Sequence, residues 1–342
     1  MRMVSGMAYQ TLFSPINQHG SVRPKARRRF PSSTPIHLLS AKSFDLDDVD
    51  ELCLLAEEFE NGLAPSLSSV GKTVALLFFQ SSTRTRLGFE SAVVGLGAHA
   101  IGMEDMSSSR TNSRVGESLE DCAAVVSRLS DAIIVRHHDQ GAAARMAEKS
   151  VSPVINAGDG WNEHPTQALI DVYAMRRGLG SIRGKSIAYG GDPRGRVVRS
   201  LMYLLRLEQP REIVFCPPPK YEIPADIVAT LMESQISYRI ITDVEDALRE
   251  CDAIVMAPYD MSEVAEPATS TFVSPHATAS HFMIDAEKIL RTGSKALLYH
   301  PLPRFTEIDP SCDALPNAKY FEQVRLSRFM RMAVLDRVLL PV

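Results

Sequence analysis

The chain has 342 residues, 45% of them apolar, more than one hydrophobic core accommodates comfortably and enough for two α/β domains with a cleft between them. With 37 Lys and Arg against 41 Asp and Glu the formal charge is -4, which argues against the concentrated basic face of a nucleic-acid binder and leaves a small soluble substrate as the default. No apolar run reaches the roughly 18 residues a membrane helix needs. Cys53, Cys122, Cys216, Cys251 and Cys312 stand without paired or metal-ligand spacing, so reduced, buried thiols are expected rather than a disulfide framework or a zinc site.

Residues 1–44 contain no Asp or Glu but do contain Arg2, Arg23, Lys25, Arg27, Arg28, Arg29 and Lys42. Such a composition cannot build a core. It fits an organelle transit peptide or an unstructured extension, and the lack of an amphipathic helical period favours a flexible extension over 1–35 on a cytoplasmic protein. Over 45–59, Leu46, Val49, Leu52, Leu55 and Phe59 share one helical face, ended by Gly62 and Pro65. Strand-like runs at 73–79, 99–103, 131–135 and 151–156 then alternate with helical ones at 86–96, 118–129, 141–149 and 164–177. After a turn region at 178–184 the alternation resumes, with strands at 185–189, 212–215, 237–241, 253–256 and 296–299 and helices at 197–207, 224–234 and 243–249. A last helix covers 321–340. Strand and helix at this pace predict an α/β fold of two doubly wound parallel-sheet domains joined by bridging helices. The expected division is 36–167 plus 321–342 for one domain and 168–320 for the other. The helix opening at His164 starts in the cleft.

The run 74–79 leads directly into Gln80-Ser81-Ser82-Thr83-Arg84-Thr85-Arg86 and a helix. A strand, a polar loop and a helix N-terminus bring unpaired N–H groups, the positive end of the helix dipole, hydroxyls and guanidiniums to one place, the chemistry that holds a phosphate. An ordinary Ser/Thr cap with solvated arginines has the same local sequence. Arg136 follows the apolar strand 132–135 and so emerges at a carboxyl edge, where open parallel sheets bind ligands; taken as an isolated residue, such an arginine is more often a surface ion-pair member. His164 and Gln167 open a helix three residues apart and share a face. In His300-Pro301-Leu302-Pro303-Arg304 the prolines predict an extended backbone that presents carbonyls. The glycines at 190, 191 and 195 lack the Gly-x-Gly-x-x-Gly spacing of a dinucleotide loop.

Together and in this order, Ser-Ser-Thr-Arg-Thr-Arg at 81–86, Asn-Ala-Gly-Asp-Gly at 156–160, His-Pro-Thr-Gln at 164–167 and His-Pro-Leu-Pro-Arg at 300–304 resemble the aspartate/ornithine carbamoyltransferase family over residues 36–342. The last motif resembles the aspartate branch, since ornithine enzymes carry a Cys-containing motif there. The resemblance implies carbamoyl transfer from carbamoyl phosphate to the amino group of L-aspartate, giving N-carbamoyl-L-aspartate and phosphate for pyrimidine biosynthesis, without a cofactor, a metal or a covalent enzyme intermediate. It implies that Ser82, Thr83, Arg84 and Thr85 bind phosphate, with Arg84 stabilising the leaving group. Arg136, His164 and Thr85 would polarise the carbamoyl oxygen, Gln167 and the Pro301 and Leu302 carbonyls would hold the carbamoyl amide, and Arg196 would bind the acceptor carboxylate. It further implies a homotrimer with shared active sites.

Two positions leave the family pattern, both bearing on the acceptor. Val115 aligns with the lysine that reaches into the neighbouring subunit's site, with Arg110 or Arg114 as the nearest replacement, although Arg and Lys differ in geometry. Pro258, in Ala257-Pro258-Tyr259-Asp260, aligns with the arginine that takes the acceptor's side-chain carboxylate. Between Cys251 and Ala286 there is no Lys or Arg, while Asp260, Glu263 and Glu266 add negative charge. A dianionic acceptor then requires compensation from Arg194, Arg199, His276 or His281. The alternatives are a different amine acceptor, or an inactive paralogue that assembles with an active chain.

Overall fold

Two parallel sheets frame the molecule. The computed structural model describes residues 36–66, 68–103, 116–218, 221–258 and 281–340. Strands β1 (Thr73–Phe78), β2 (His99–Met103), β3 (Ala132–His137) and β4 (Val154–Asp159) form the first sheet in the order β2-β1-β3-β4. Strands β5 (Ser186–Gly190), β6 (Glu212–Cys216), β7 (Ser237–Ile240), β8 (Ala253–Met256) and β9 (Leu297–Tyr299) form the second in the order β7-β6-β5-β8-β9. All strand pairings are parallel. Both sheets are doubly wound, as the alternation predicts. Their strand order reverses between β1 and β3 and between β5 and β8, and crevices at such reversals receive ligands in open α/β sheets. Strands β3, β4, β5 and β8 are buried along their whole length, which is why each reads as a continuous rather than alternating run.

The helices are α1 (Leu46–Glu60), α2 (Thr83–Gly95), α3 (Leu119–Val126), α4 (Ala142–Lys149), α5 (Pro165–Leu179), α6 (Arg196–Glu208), α7 (Ala225–Glu233), α8 (Val244–Glu250), α9 (Ala286–Thr292) and α10 (Tyr320–Leu339). Helix α5 is buried at every position from Pro165 to Met175, the mark of a helix that runs through the core rather than along its surface. It packs on both α6 and α10, and α10 also packs on α1 and α2. One continuous core therefore joins Leu52, Phe89, Leu169, Leu201, Phe215 and Leu335. At the far end of α10 the buried Asp336 accepts hydrogen bonds from the Ser66 and Ser69 hydroxyls, each at 2.7 Å.

Several boundaries differ from the sequence reading. Helix α2 begins at Thr83 rather than 86, so the arginine loop is its first turn. Strand β3 continues to His137, which places Arg136 inside the sheet. Helix α9 has no counterpart among the predicted elements, although Asp285 accepts from Lys288 N at 2.8 Å and is an ordinary helix-start signal. All five cysteines are buried, and none is in a disulfide. Among the described residues no helix is long and apolar enough to cross a membrane. The basic segment 1–35, Arg110, Arg114, Val115, Tyr259, Asp260, Glu263, Glu266 and His276 lie outside the described residues.

Candidate active site

At the carboxyl end of β1 the chain turns into α2 with Ser82 as N-cap. Its hydroxyl makes no capping bond, which sets aside the ordinary-cap reading of this loop. The N–H groups of Thr83, Arg84 and Thr85 belong to a first helical turn that has no intrahelical acceptors for them. Thr85 is buried beneath the loop, and partial burial lowers the Arg84 pKa from its ordinary value. Thr83 is exposed, and its side chain is not among those lining the cavity described below. Arg86 is drawn back along the helix to Glu90 at 2.9 Å.

The neighbouring strand β3 supplies Arg136, only 9% exposed. Its Nη1 donates to Ala157 O at 3.2 Å, and its Nε has no partner among the described residues. Burial and then the charges of Arg196 and Arg84 push its guanidinium down to about 9, so it stays a cation at neutral pH while being strongly disfavoured as one. Arg196, in the first turn of α6, donates to Gln80 Oε1 and Gly160 O, both at 2.9 Å, and burial lowers its pKa as well. Gly158, at φ 115°, makes this convergence feasible: a Cβ there would lie 3.1 Å from Arg136 Nη1 and 3.5 Å from Arg196 Cζ.

His164 precedes Pro165, the first residue of α5, and its backbone N–H donates to Ser200 Oγ at 2.8 Å. Its Nε2 lies 3.5 Å from Arg136 Nη1, and its Nδ1 lies 3.3 Å from Thr166 Oγ1. Because a guanidinium only donates, Nε2 is the accepting nitrogen and the ring proton sits on Nδ1. Burial, reinforced by Arg136, Arg196 and Arg331, holds the imidazole pKa well below 6.5. One turn on, Gln167 faces the same space.

The segment 300–304 approaches from the end of β9. Leu302 is not extended, as the prolines suggest, but left-handed at φ 57°, and Leu302-Pro303 is a cis peptide. The reason lies in a local hydrogen bond: Leu302 N donates to His300 Nδ1 at 2.7 Å, while His300 Nε2 lies 2.7 Å from the buried Glu307. Glu307 in turn accepts from Phe305 N and Thr306 N.

These segments enclose a cavity of about 590 Å³, a volume suited to a small metabolite. Ser82, Arg84, Thr85, Arg136, His164, Gln167, Arg196, Pro301 and Leu302 all line it. The structure thus brings together every sequence-derived site residue except Thr83. Pro258 lines it too. None of the described candidates for compensating charge does: Arg194 pairs with Asp192 and stacks on Tyr221, Arg199 pairs with Asp226 at 2.6 Å, and His281 faces Asp243. Sequence reasoning missed Arg331, which reaches the cavity wall from α10, buried, with no partner for its Nε among the described residues and its pKa lowered by burial to about 10. Gly88 makes room for it, since a Cβ there would lie 2.4 Å from Arg331 Nη1. It also missed Asp171, which lies behind Gln167, and Gln323, which bonds to Asp171 and lines the cavity. The one signal for Arg331 is a cation inside the apolar run Phe329-Met330-Arg331-Met332-Ala333-Val334.

A neutral His164 has a consequence for stability. Its folded pKa is depressed, so as pH falls below about 6.5 the unfolded chain takes up a proton that the folded chain refuses, and stability is lost on the acid side. His164→Gln is therefore expected to flatten the decline between pH 6.5 and 5.5 by up to about 1.4 kcal/mol per pH unit. Urea unfolding at several pH values measures it; an unchanged slope would mean that the folded protein binds this proton.

Comparison with known proteins agrees with this geometry. Residues 36–177 match the model of the aspartate/ornithine carbamoyltransferase carbamoyl-P binding domain, and residues 183–338 match that of the Asp/Orn binding domain. The chain is 37% identical over 307 residues to an aspartate carbamoyltransferase catalytic subunit of Methanocaldococcus jannaschii, covering 89% of this chain and 97% of that one. It is 35% identical to a chloroplastic aspartate carbamoyltransferase of Arabidopsis thaliana, covering 88% of this chain and 77% of the relative. Among solved structures, the M. jannaschii catalytic subunit superposes with a TM-score of 0.80 at 36% identity, covering 88% of this chain and 97% of that one. The Trypanosoma cruzi aspartate transcarbamoylase in complex with carbamoyl phosphate and aspartate gives 0.78 at 28% identity, covering 89% and 95%. A match to both domain models, with 97% of the M. jannaschii relative covered, means that the chain belongs to the aspartate/ornithine carbamoyltransferase family.

Proposed function

We propose that this chain is an aspartate carbamoyltransferase catalytic chain, moving the carbamoyl group of carbamoyl phosphate to the amino group of L-aspartate in pyrimidine biosynthesis. The observation that carries the proposal is the convergence of Arg84, Arg136 and Arg196 on one cavity beside a helix N-terminus and a neutral His164. Such a site is disfavoured when empty and complementary to a phosphate dianion. In the reaction the amine nitrogen forms a bond to the carbamoyl carbon, the carbon–oxygen bond to phosphate breaks, and the amine proton leaves with the phosphate. Ser82, Arg84 and Thr85 hold the phosphate, with Thr83 contributing its backbone N–H, and Arg84 takes up charge on the leaving group. The carbamoyl oxygen enters between Arg136 and His164, beside Thr85. Gln167 and the carbonyls of Pro301 and Leu302 hold the amide, and Arg196 binds the acceptor's carboxylate. On this reading 36–167 plus 321–342 form the carbamoyl-phosphate domain and 168–320 the acceptor domain.

A second reading, an amine acceptor with a single carboxylate, draws on Pro258 in the cavity wall. The two are separated by phosphate release from carbamoyl phosphate across a panel of amines. Turnover with aspartate is expected; turnover only with another amine carries the second reading, and none with any amine sinks both. Arg84→Ala should lower kcat by about 10²–10³-fold, the cost of removing a donor to developing charge. A rate unchanged in that variant removes the site assignment.

For assembly we favour a homotrimer. Leu87 lines the cavity while 58% exposed, and on the same helix Val94 is 70% exposed, an apolar face beside an active site that a second copy would cover. Sedimentation equilibrium should return three times the chain mass, and a monomer would reject this. For residues 1–35, the name of the chloroplastic relative supports an organelle leader over a plain extension of a cytoplasmic protein. A fluorescent fusion decides: import with loss of the segment carries the leader, and a diffuse signal carries the extension.

A further inference from the structure

Asp171 lies one turn beyond Gln167 on α5, fully buried, and is not among the residues lining the cavity. Its Oδ1 accepts two hydrogen bonds, from Gln167 Nε2 at 2.7 Å and from Gln323 Nε2 at 2.6 Å. Its Oδ2 has no partner among the described residues. The other end of the Gln323 amide accepts the His300 N–H at 3.0 Å. A primary amide has one accepting end and one donating end, whereas a backbone N–H can only donate. Gln323 is therefore fixed from both sides, with its NH₂ toward Asp171. Gln167 is fixed from behind: its NH₂ is committed to Asp171, and its carbonyl oxygen is the end left for the cavity that it lines. What that oxygen can meet is a donor.

We infer that Asp171 is the positioning residue for donor selectivity: by accepting from the Gln167 amide it presents the Gln167 carbonyl oxygen to the cavity, so that acyl phosphates carrying an –NH₂ are preferred over those of the same shape without one. A carbamoyl group has this NH₂; an acetyl group has a methyl in its place. The same carboxyl oxygen, through Gln323 and the His300 N–H, anchors the segment that presents the Pro301 and Leu302 carbonyls. One buried atom thus sets both contacts expected for the carbamoyl nitrogen. The inference rests on the carbamoyl-phosphate reading above.

The test measures the dissociation constants of carbamoyl phosphate and acetyl phosphate by calorimetry on the full chain and its variants. If the parent binds neither, the donor reading fails and this inference with it. If the parent binds both without preference, the donor reading stands and the inference fails. Given a preference in the parent, Asp171→Leu, of similar shape but unable to accept, should reduce it about tenfold, the scale of one lost hydrogen bond, with acetyl phosphate binding changed less than about twofold. Asp171→Asn should keep it, because the one oxygen that Gln167 and Gln323 use is retained and the new NH₂ occupies the place of the unpartnered Oδ2. Equal weakening of both ligands in Asp171→Leu marks a merely structural role and overturns the inference, as does an unchanged preference. Should Asp171→Leu fail to fold, Asp171→Ala carries the same expectation, and loss of the preference in Asp171→Asn overturns the inference by itself.

Discussion

The constraint on which the rest of the structure depends is that several guanidiniums face one small cavity with too few counter-charges. Arg136 and Arg331 each keep a buried Nε with no partner among the described residues, and the charges of Arg196 and Arg84 both act against that of Arg136. Removing a cation from water is costly, and like charges in a poorly polarisable interior raise that cost. The fold has to hold these groups against their own repulsion. Away from the cavity, arginines meet carboxylates or carbonyls: Arg176 meets Glu208 and Asp50, Arg304 meets Asp313, and Arg206 donates to the carbonyls of Tyr203 and Lys42. Among the described residues Arg136 and Arg331 show no carboxylate partner, which leaves their charge for the cavity that they line.

Holding that arrangement requires elements that cannot retreat. Arg136 is fixed by being part of a wholly buried strand, and Arg331 by a helix packed on α1, α2 and α5. The α5 helix contributes His164 and Gln167 from its first turn while its body is buried on all sides. Glycines admit the charges: Gly158 lets Arg136 and Arg196 approach, and Gly88 lets Arg331 in. The two reversals of strand order, one in each sheet, then open onto the same space. Arg84 follows β1, Arg136 is the penultimate residue of β3, Arg196 follows β5 and Pro258 follows β8.

Much of this was legible in the sequence because the donor site is built from local chemistry. A strand running into Ser-Ser-Thr-Arg-Thr-Arg gathers the proposed anion site within six residues, and Arg136 announces itself by following an apolar run. The sheet pattern followed from alternation of buried strands and helices. What could not be read depends on contacts between distant segments. Asp171 looks like a solvated helical aspartate until Gln323, 152 positions away, closes over it. Arg331 is one of four arginines in α10; its apolar surroundings in sequence hint at burial, but the space left for it at Gly88, and the pairing of Arg325 with Glu60 and Glu322 instead, show only in the fold. The left-handed Leu302 was misread because proline stereochemistry was weighed without the hydrogen bond to His300 that overrides it.

On the proposed reading, the donor and acceptor halves of the cavity differ in how they obtain specificity. The donor half is over-determined. Its amides are oriented from behind by Asp171, its His164 tautomer by the adjacent Arg136, and its carbonyl segment by the His300–Glu307 pair. Groups fixed in this way do not reorganise when charge moves, which is the condition under which electrostatic stabilisation is most effective. The half proposed for the acceptor is different: Arg196 already donates through Nη1 to Gln80 and Gly160, while Arg194 and Arg199 stay outside the cavity with their own carboxylates. An acceptor anion must compete with the Arg196 bonds, so its binding is an exchange of partners rather than the filling of a preformed vacancy. Selectivity for the amine therefore depends on how cheaply these partners are released, and selectivity for the donor on how firmly the others are held.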